Sequence, residues 1–314
     1  MSAAQRVLVL GGSGFVGRHV AAKLAAAGHD IVVITRRRER ARHLLLLPTV
    51  QVVEGDPYDP AVLARYAAGA TASINLVGVL HQRGRQTFER AHVELPGLLV
   101  AACKGAGIRR ILHLSALGAG ADAPSRYLRS KAAGEAAIAA SGLAWTMFRP
   151  SVIFGPEDTF LNLFAKLSRL LPVIALAGAN ARFQPVYVGD VAACIVAALS
   201  DDETSGQRYD LCGPHVYTLE QLVRYVGEVT GAVRPIVPLG PMLSTLQARV
   251  MEWLPGPLLT RDNLLSMQRD NVCDCAFPTR FGVAPSPIEA IAPGWLAPAS
   301  RSSRFDSYRA QSGR

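Results

Sequence analysis

The sequence predicts an α/β protein, a doubly wound parallel sheet with a smaller C-terminal lobe interleaved with it. Three observations carry this. Short apolar runs alternate with helix-period segments through the first half of the chain. Those runs are apolar nearly throughout rather than at every second residue, as strands covered on both faces require. The first run ends in a glycine cluster that opens a helix, within "VLVLGGSGFVGRHV", residues 7–20.

Taken in order, strands are expected at 6–10, 30–35, 50–54, 72–77, 109–114 and 144–149. Helices are expected between them at about 15–27, 59–68, 87–105 and 126–141. Asp59 stands just ahead of the second helix, where a carboxylate accepts from free N–H groups. After Pro150 the alternation loosens, with helices expected at 158–171, 190–200, 218–231 and 241–254 and short strands near 183–187 and 234–238. Prolines crowd residues 232–298. The expected division is a core over 1–155, a lobe over 156–298 and a disordered basic tail over 299–314, which is polar, arginine-rich and aperiodic.

The 314 residues, half of them hydrophobic, are enough for one large α/β domain with a full core. No stretch reads as a transmembrane helix, since the most apolar candidate, 160–178, holds Lys166, Arg169 and Pro172. The N-terminus has no charged region followed by an apolar one and a cleavage site, so no secretory signal is expected. The cysteines, Cys103, Cys194, Cys212, Cys273 and Cys275, are odd in number and irregular in spacing. They do not form a disulfide framework; Cys273 and Cys275 read as ordinary thiols, and a reducing cytoplasm fits. The net charge is +9, yet only four lysines stand against twenty-nine arginines, and aromatics are not interleaved with them. That skew is compositional, and no nucleic-acid partner is expected. No metal-ligand spacing and no G-x-S-x-G elbow occur.

Gly11, Gly14 and Gly17 form G-x-x-G-x-x-G between a strand and a helix. The first glycine permits a sharp turn, the next lets backbone N–H groups approach a pyrophosphate, and the last lets the helix pack on the sheet. The helix N-terminus adds unpaired N–H groups and a positive dipole end. Ser13, Phe15 and Val16 complete this candidate phosphate loop; a purely structural turn is the other reading. The second strand ends in "ITRRRER", without the carboxylate that holds ribose hydroxyls in NAD sites. Arg36, then Arg37, are the candidate ligands of a 2′-phosphate, so NADP(H) is expected over NAD(H). Alternatively these arginines begin a solvated helix with Arg38, Arg40 and Arg42. Asp56, after the third strand, is positioned to accept from an adenine amino group. Asn75, Val77 and Gly78, in "INLVGV", would let the chain pass close to the cofactor, or serve only the turn.

"YLRSK" places Tyr127 and Lys131 four apart on a helix, hence on one face. An ammonium near a phenol stabilises the phenolate, so the pair suits proton transfer. A tyrosine packed over a lysine stem is the structural alternative.

Together with Gly11–Gly17, Asp56 and Asn75–Gly78, the stretches "HLSALGA" (113–119), Tyr127/Lys131 and "RPSVIFGPED" (149–158) resemble an extended or atypical short-chain dehydrogenase/reductase. More narrowly, "INLVG", "HLSALGA", "YLRSK", "RPSVIFGPED" and "PVYVGDVA" (185–192) resemble the dehydrogenase-like accessory subunit of respiratory complex I and its bacterial relatives. The likeness runs over about residues 5–275. It implies a Rossmann fold holding NADP(H) at the carboxyl ends of the strands. In active members the tyrosine is general acid/base, the lysine binds ribose hydroxyls and tunes it, and a serine holds the substrate carbonyl. Tyr127 and Lys131 match the first two roles. Ser115 is the candidate for the third, although active extended enzymes carry their serine slightly beyond the strand, where this chain has Ala116-Leu117-Gly118. Pro150, with Ser151 and Val152, would line the nicotinamide pocket.

Among other residues, Ser125 suits the cap of the tyrosine helix and Asp190 the cap of the next apolar one. Arg149 suits either the pocket or an acidic partner. His113 reads as packed; His81 and His92 have no evident partner. Residues 241–269, rich in Leu and Met with Trp253, read as core of the lobe or as a surface for a membrane or a partner. The basic tail suits anionic lipid.

Two functions are expected from this. The first is an NADP(H)-binding protein of the complex I accessory-subunit type, structural or sensing, cytoplasmic and peripheral to the inner face of the membrane, with respiratory-chain partners. The second is an active reductase, epimerase or dehydratase using Tyr127 and Lys131 on a small or nucleotide-linked substrate.

Overall fold

A computed structural model describes residues 4–253 and 258–297. The chain starts in β1 (Arg6–Leu10), passes the glycine turn into α1 (Phe15–Ala26), and continues through β2 (Asp30–Thr35), β3 (Val50–Glu54), α2 (Pro60–Ala67) and β4 (Ala72–Asn75). Then come α3 (Leu95–Ala106), β5 (Arg110–Leu114), α4 (Arg126–Ala139) and β6 (Ala144–Pro150). These segments form elements because their apolar residues fill a double-sided core. Val7, Val9, Ile31 and Val33 face α1, while Leu8, Leu10, Val32 and Ile34 face α2 and α3. All eight are buried, which explains strands without polar alternation. Asp59 caps α2 through Ala61 N–H at 2.9 Å, and Ser125 caps α4 through Leu128 N–H at 3.2 Å. The helix expected at 87–105 is present from Phe88, with a π-turn over Arg90–Glu94 ahead of α3.

Beyond β6 come β7 (Ile153–Phe154), α5 (Leu161–Leu170), β8 (Ile174–Ala177), β9 (Arg182–Phe183), β10 (Val186–Tyr187), α6 (Val188–Leu199) and β11 (Gln207–Leu211). The chain ends through β12 (Tyr217–Thr218), α7 (Leu219–Thr230), β13 (Ile236–Leu239), α8 (Pro241–Met251) and α9 (Arg261–Ser266), with short turns of helix after it. The main sheet has seven parallel strands in the order β11-β6-β5-β4-β1-β2-β3. The order reverses between β1 and β4, and a crevice opens outside the strand ends at such a switch point. The lobe has its own core, in which Phe164, Leu222, Val226 and Leu296 meet between α5, α7 and the parallel β8/β13 pair.

Several expectations are corrected. β11 is absent from the expected strands because its exposed half, Gln207-Arg208, carries no apolar pattern; it nevertheless completes the main sheet beside β6. β8 was hidden inside an apolar run, and the strand expected at 183–187 is two short ones, β9 and β10. Asp190 does not cap α6. It lies inside the first turn, Tyr187 is the cap residue, and the Asp190 carboxylate accepts from Ser286 N–H at 2.7 Å. Cys273 is not an ordinary thiol: it is bonded to Cys212, 61 residues away, with Cα atoms 6.1 Å apart. Spacing in sequence could not show this, because β11 brings Cys212 to the end of the sheet where the 271–273 segment docks. Cys275 is free and exposed, and Cys103 and Cys194 are buried thiols. Of the two readings of the apolar run at 241–269, its described residues favour the surface over 242–253, where Met242, Leu246, Val250 and Trp253 are more than half exposed. No helix among the described residues is long and apolar enough to cross a membrane. The expected tail over 299–314 lies outside the described residues.

Candidate functional site

The crevice at the switch point is built from backbone first. Gly11 has φ +79°, and a Cβ there would stand 2.8 Å from the Leu76 carbonyl carbon on the neighbouring strand end. A Cβ at Gly17 would run into the Gly11 carbonyl oxygen. The turn closes by Gly14 N–H donating to Gly11 O at 3.0 Å. Gly14 is the N-cap of α1, with no side-chain cap and no acidic residue in the first turn. The N–H groups of Phe15, Val16 and Gly17 therefore face the crevice without a competing anion, which fits a diphosphate. Ser13 lies in the same turn.

Arg36 and Arg37 follow β2, whose end lies beside that of β1 through the Leu10–Ile34 pairing. Both are exposed, and neither has an acidic partner among the described residues. Thr35 Oγ donates to Arg37 O at 3.1 Å and fixes the turn; Arg38, Arg40 and Arg42 come after it, in a short 3₁₀ segment. Asp56 is exposed, and one carboxylate oxygen accepts from Tyr58 N–H at 3.1 Å. Arg90 lies over the Tyr58 ring at 4.1 Å from its centroid. This end of the crevice thus offers guanidinium groups and an aromatic face.

The Asn75–Gly78 loop forms the floor. Asn75 is fully buried; its Oδ1 accepts from Val77 N–H at 3.2 Å and its amide meets His113 Nδ1 at 3.2 Å. Gly78 leaves room for Lys131, whose Nζ would be 3.3 Å from a Cβ there. Lys131 is 4 % exposed, and its ammonium donates to Leu114 O at 3.0 Å. Burial pulls it down to about 8, with the Glu135 charge opposing. Tyr127 packs edge-on against Phe88 and His92 and beside Ala116, Ala123 and Leu128. Burial pushes its phenol up to about 12. In this structure the ammonium is engaged by a carbonyl, and the phenol sits in an aromatic and aliphatic pocket.

Ser115 is buried, and its hydroxyl faces the Glu135 carboxylate, outside strict hydrogen-bond geometry. The residue from this stretch that belongs to the cluster against which Tyr127 packs is Ala116, with Ala123 and Leu128. Glu135, one helical turn beyond Lys131, accepts from Arg149 at 2.8 and 2.6 Å and from Arg208 at 3.1 Å. Arg149 is thus an acidic residue's partner rather than a pocket residue. The two guanidinium groups hold the Glu135 carboxyl below its usual range against the cost of its burial.

Beyond Pro150, Ser151 Oγ donates to Asn271 Oδ1 at 2.6 Å and to Asn271 O at 3.0 Å, and Val152 N–H donates to the same Oδ1 at 2.9 Å. Asn271, tied on by the Cys212–Cys273 bond, fixes the segment that closes this end. His92 gained partners that the sequence did not suggest. Its Nε2 accepts from Val79 N–H at 3.1 Å, so Nδ1 carries the proton and donates to Ser130 Oγ at 2.8 Å. Ser130 in turn donates to Tyr127 O at 2.7 Å. Asn271 left no signal in the sequence; Glu135 left one, the i+4 spacing from Lys131.

A sequence model of the family described as NAD dependent epimerase/dehydratase matches residues 7–212. The mitochondrial NADH dehydrogenase (ubiquinone) 1 alpha subcomplex subunit 9 of Arabidopsis thaliana is 41% identical over 68% of this chain and 55% of its own length. The chain therefore spans about half the length of that relative. A ceramide reductase of Caulobacter vibrioides is 33% identical over 79% of this chain and 78% of its own. Among solved structures, an NADPH-dependent quinone oxidoreductase of Escherichia coli, complexed with NADPH, superimposes with a TM-score of 0.73 over 92% of this chain and 99% of its own, at 18% identity. The glycine turn, the uncapped α1 and the buried lysine all fit a nicotinamide dinucleotide.

Proposed function

The chain belongs to the NAD dependent epimerase/dehydratase family, and from that premise we propose that it is an NADP(H)-binding protein of the complex I accessory-subunit type. Its role is structural, in assembly or in redox sensing, beside the respiratory membrane and with respiratory-chain partners. The likeness to the Arabidopsis subunit supports the class. The observation that supports binding without turnover is that the stretch beyond Ser115, Ala116-Leu117-Gly118, carries no hydroxyl, while Ala116 belongs to the cluster against which Tyr127 packs. Lys131 donates to Leu114 O rather than to Tyr127, and burial pushes the phenol up to about 12.

The cofactor, when bound, supplies a hydride donor or acceptor. In this reading the chain's residues hold it. The N–H groups of Phe15, Val16 and Gly17 take the diphosphate, Arg36 and Arg37 the ribose phosphate, Asp56 the adenine amino group and Lys131 the nicotinamide ribose. Asn75, Val77 and Gly78 form the floor, and Pro150 the wall at the nicotinamide.

A second reading, an active reductase, is favoured by the presence of both Tyr127 and Lys131 and by the likeness to the Caulobacter ceramide reductase. Purified protein decides between them. We expect NADPH to raise the melting temperature, as ligand linkage requires, with no oxidation of NADPH against quinones, lipids, sterols or sugar nucleotides. Oxidation that Tyr127→Phe abolishes would overturn the first reading.

A further inference from the structure

Helix α8 is built inside out. It buries Ser244 and Ala248 against the β8/β13 pair and anchors there through Gln247 Nε2, which donates to Ala175 O at 2.9 Å. Its large apolar residues face outward: Met242 is 80% exposed, Leu243 53%, Leu246 56% and Val250 60%. Just past its end, Trp253 is 88% exposed. Met242, Leu246 and Val250 lie at i, i+4 and i+8 and so share one face. Exposed Val237, on the β13 strand that leads into α8, and Leu170, Leu171 and Val173, on the chain entering its partner β8, extend the apolar surface. Scattered exposed aliphatics are ordinary, but four large ones on one helix of eleven residues, with a tryptophan just past its end, mark an interaction surface.

Its charge narrows the occupant. The segments that carry it, 161–180 and 232–253, hold Lys166, Arg169, Arg234 and Arg249 against a single acid, Glu252, whose carboxylate is already engaged by Arg261 at 2.9 Å. A second copy would bring an equally cationic face against it. We infer that this face docks on an anionic lipid bilayer, with the α8 side chains in the headgroup region and the cations at the phosphates. Aliphatic side chains flanked by long cationic ones, with a tryptophan at the edge, suit that interface. The inference deepens the membrane-side part of the function proposed above and rests on that part alone.

Full-length protein is sedimented with phosphatidylcholine vesicles, with and without phosphatidylglycerol, at low and high salt. Binding is expected only with phosphatidylglycerol, lost at high salt, with a blue shift of Trp253 emission that is absent in Trp253→Phe. Lys166→Gln and Arg249→Gln should each weaken it by about fivefold, and Leu246→Asp/Val250→Asp should abolish it. An unchanged NADPH-induced melting shift in the Asp variant shows that it is folded, and tests the cofactor part of the function separately. Wild-type protein that stays in the supernatant at low salt overturns the inference. So does undiminished binding by the Asp variant. A doubled mass in light scattering that the Asp variant loses assigns the face to a second copy instead, and also overturns it.

Discussion

Arg149 and Glu135 meet two bonds to two between β6 and α4, Nε to Oε1 at 2.8 Å and an Nη to Oε2 at 2.6 Å. The carboxylate is 2% exposed and is shared with Arg208 from β11. One helix is thereby pinned to two adjacent strands, one turn from Lys131. Removing the charge leaves two guanidinium groups facing a neutral amide. Glu135→Gln should therefore cost about 3 kcal/mol of stability, the range for breaking a buried ion pair. Urea denaturation checks this, and a loss within experimental error would mean that the arginines are satisfied by water.

Arg36 stands at the end of β2 without an acidic partner among the described residues. If it meets the ribose phosphate, Arg36→Ala should weaken NADPH by about 1–3 kcal/mol, the worth of a charged hydrogen bond, and leave NADH nearly unchanged. Titration calorimetry with both nucleotides reads the difference. Equal affinities for the two in the unaltered protein would contradict the assignment.

Acid should destabilise the fold through His92. Burial, helped by the Lys131 charge, holds it down to about 3, whereas an unperturbed imidazole titrates near 6.5. Between those values the unfolded chain carries the extra proton, so stability falls as pH falls through that window. The full effect is on the order of 5 kcal/mol. His113 is shifted the same way by burial. His92→Gln can still accept from Val79 and donate to Ser130, and should flatten the fall in melting temperature below pH 6.5. An unchanged slope would show that His92 does not carry it.

The Cys212–Cys273 bond closes a loop of 61 residues. Replacing both by alanine should cost about 2–4 kcal/mol, the range for removing such a cross-link from the unfolded chain. Peptide mapping under non-reducing conditions should recover the linked pair. Two free thiols in aerobic protein would contradict the bond.

Much of the fold was legible because doubly covered strands need largely apolar runs, such as the four apolar residues of β1 and of β2, and six of the seven main-sheet strands could be read in this way. β11 was not, since its role as an edge strand lets Gln207 and Arg208 face solvent. The glycine turn was legible because close backbone approach admits no other residue at Gly11 and Gly17. The distinction between Ser115 and Ala116 was less so: both lie just past the end of β5, where no strand alternation fixes which side chain joins the cluster beside Tyr127. His92 and Asn271 were invisible because their partners, Val79, Ser130, Ser151 and Val152, are set by loops rather than by any spacing.

The edge position of β11 has a consequence for synthesis. Until residue 211 has left the ribosome, β6 presents a row of unpaired amides and carbonyls to its surroundings. During that interval the nascent chain is open to pairing with a neighbouring polypeptide.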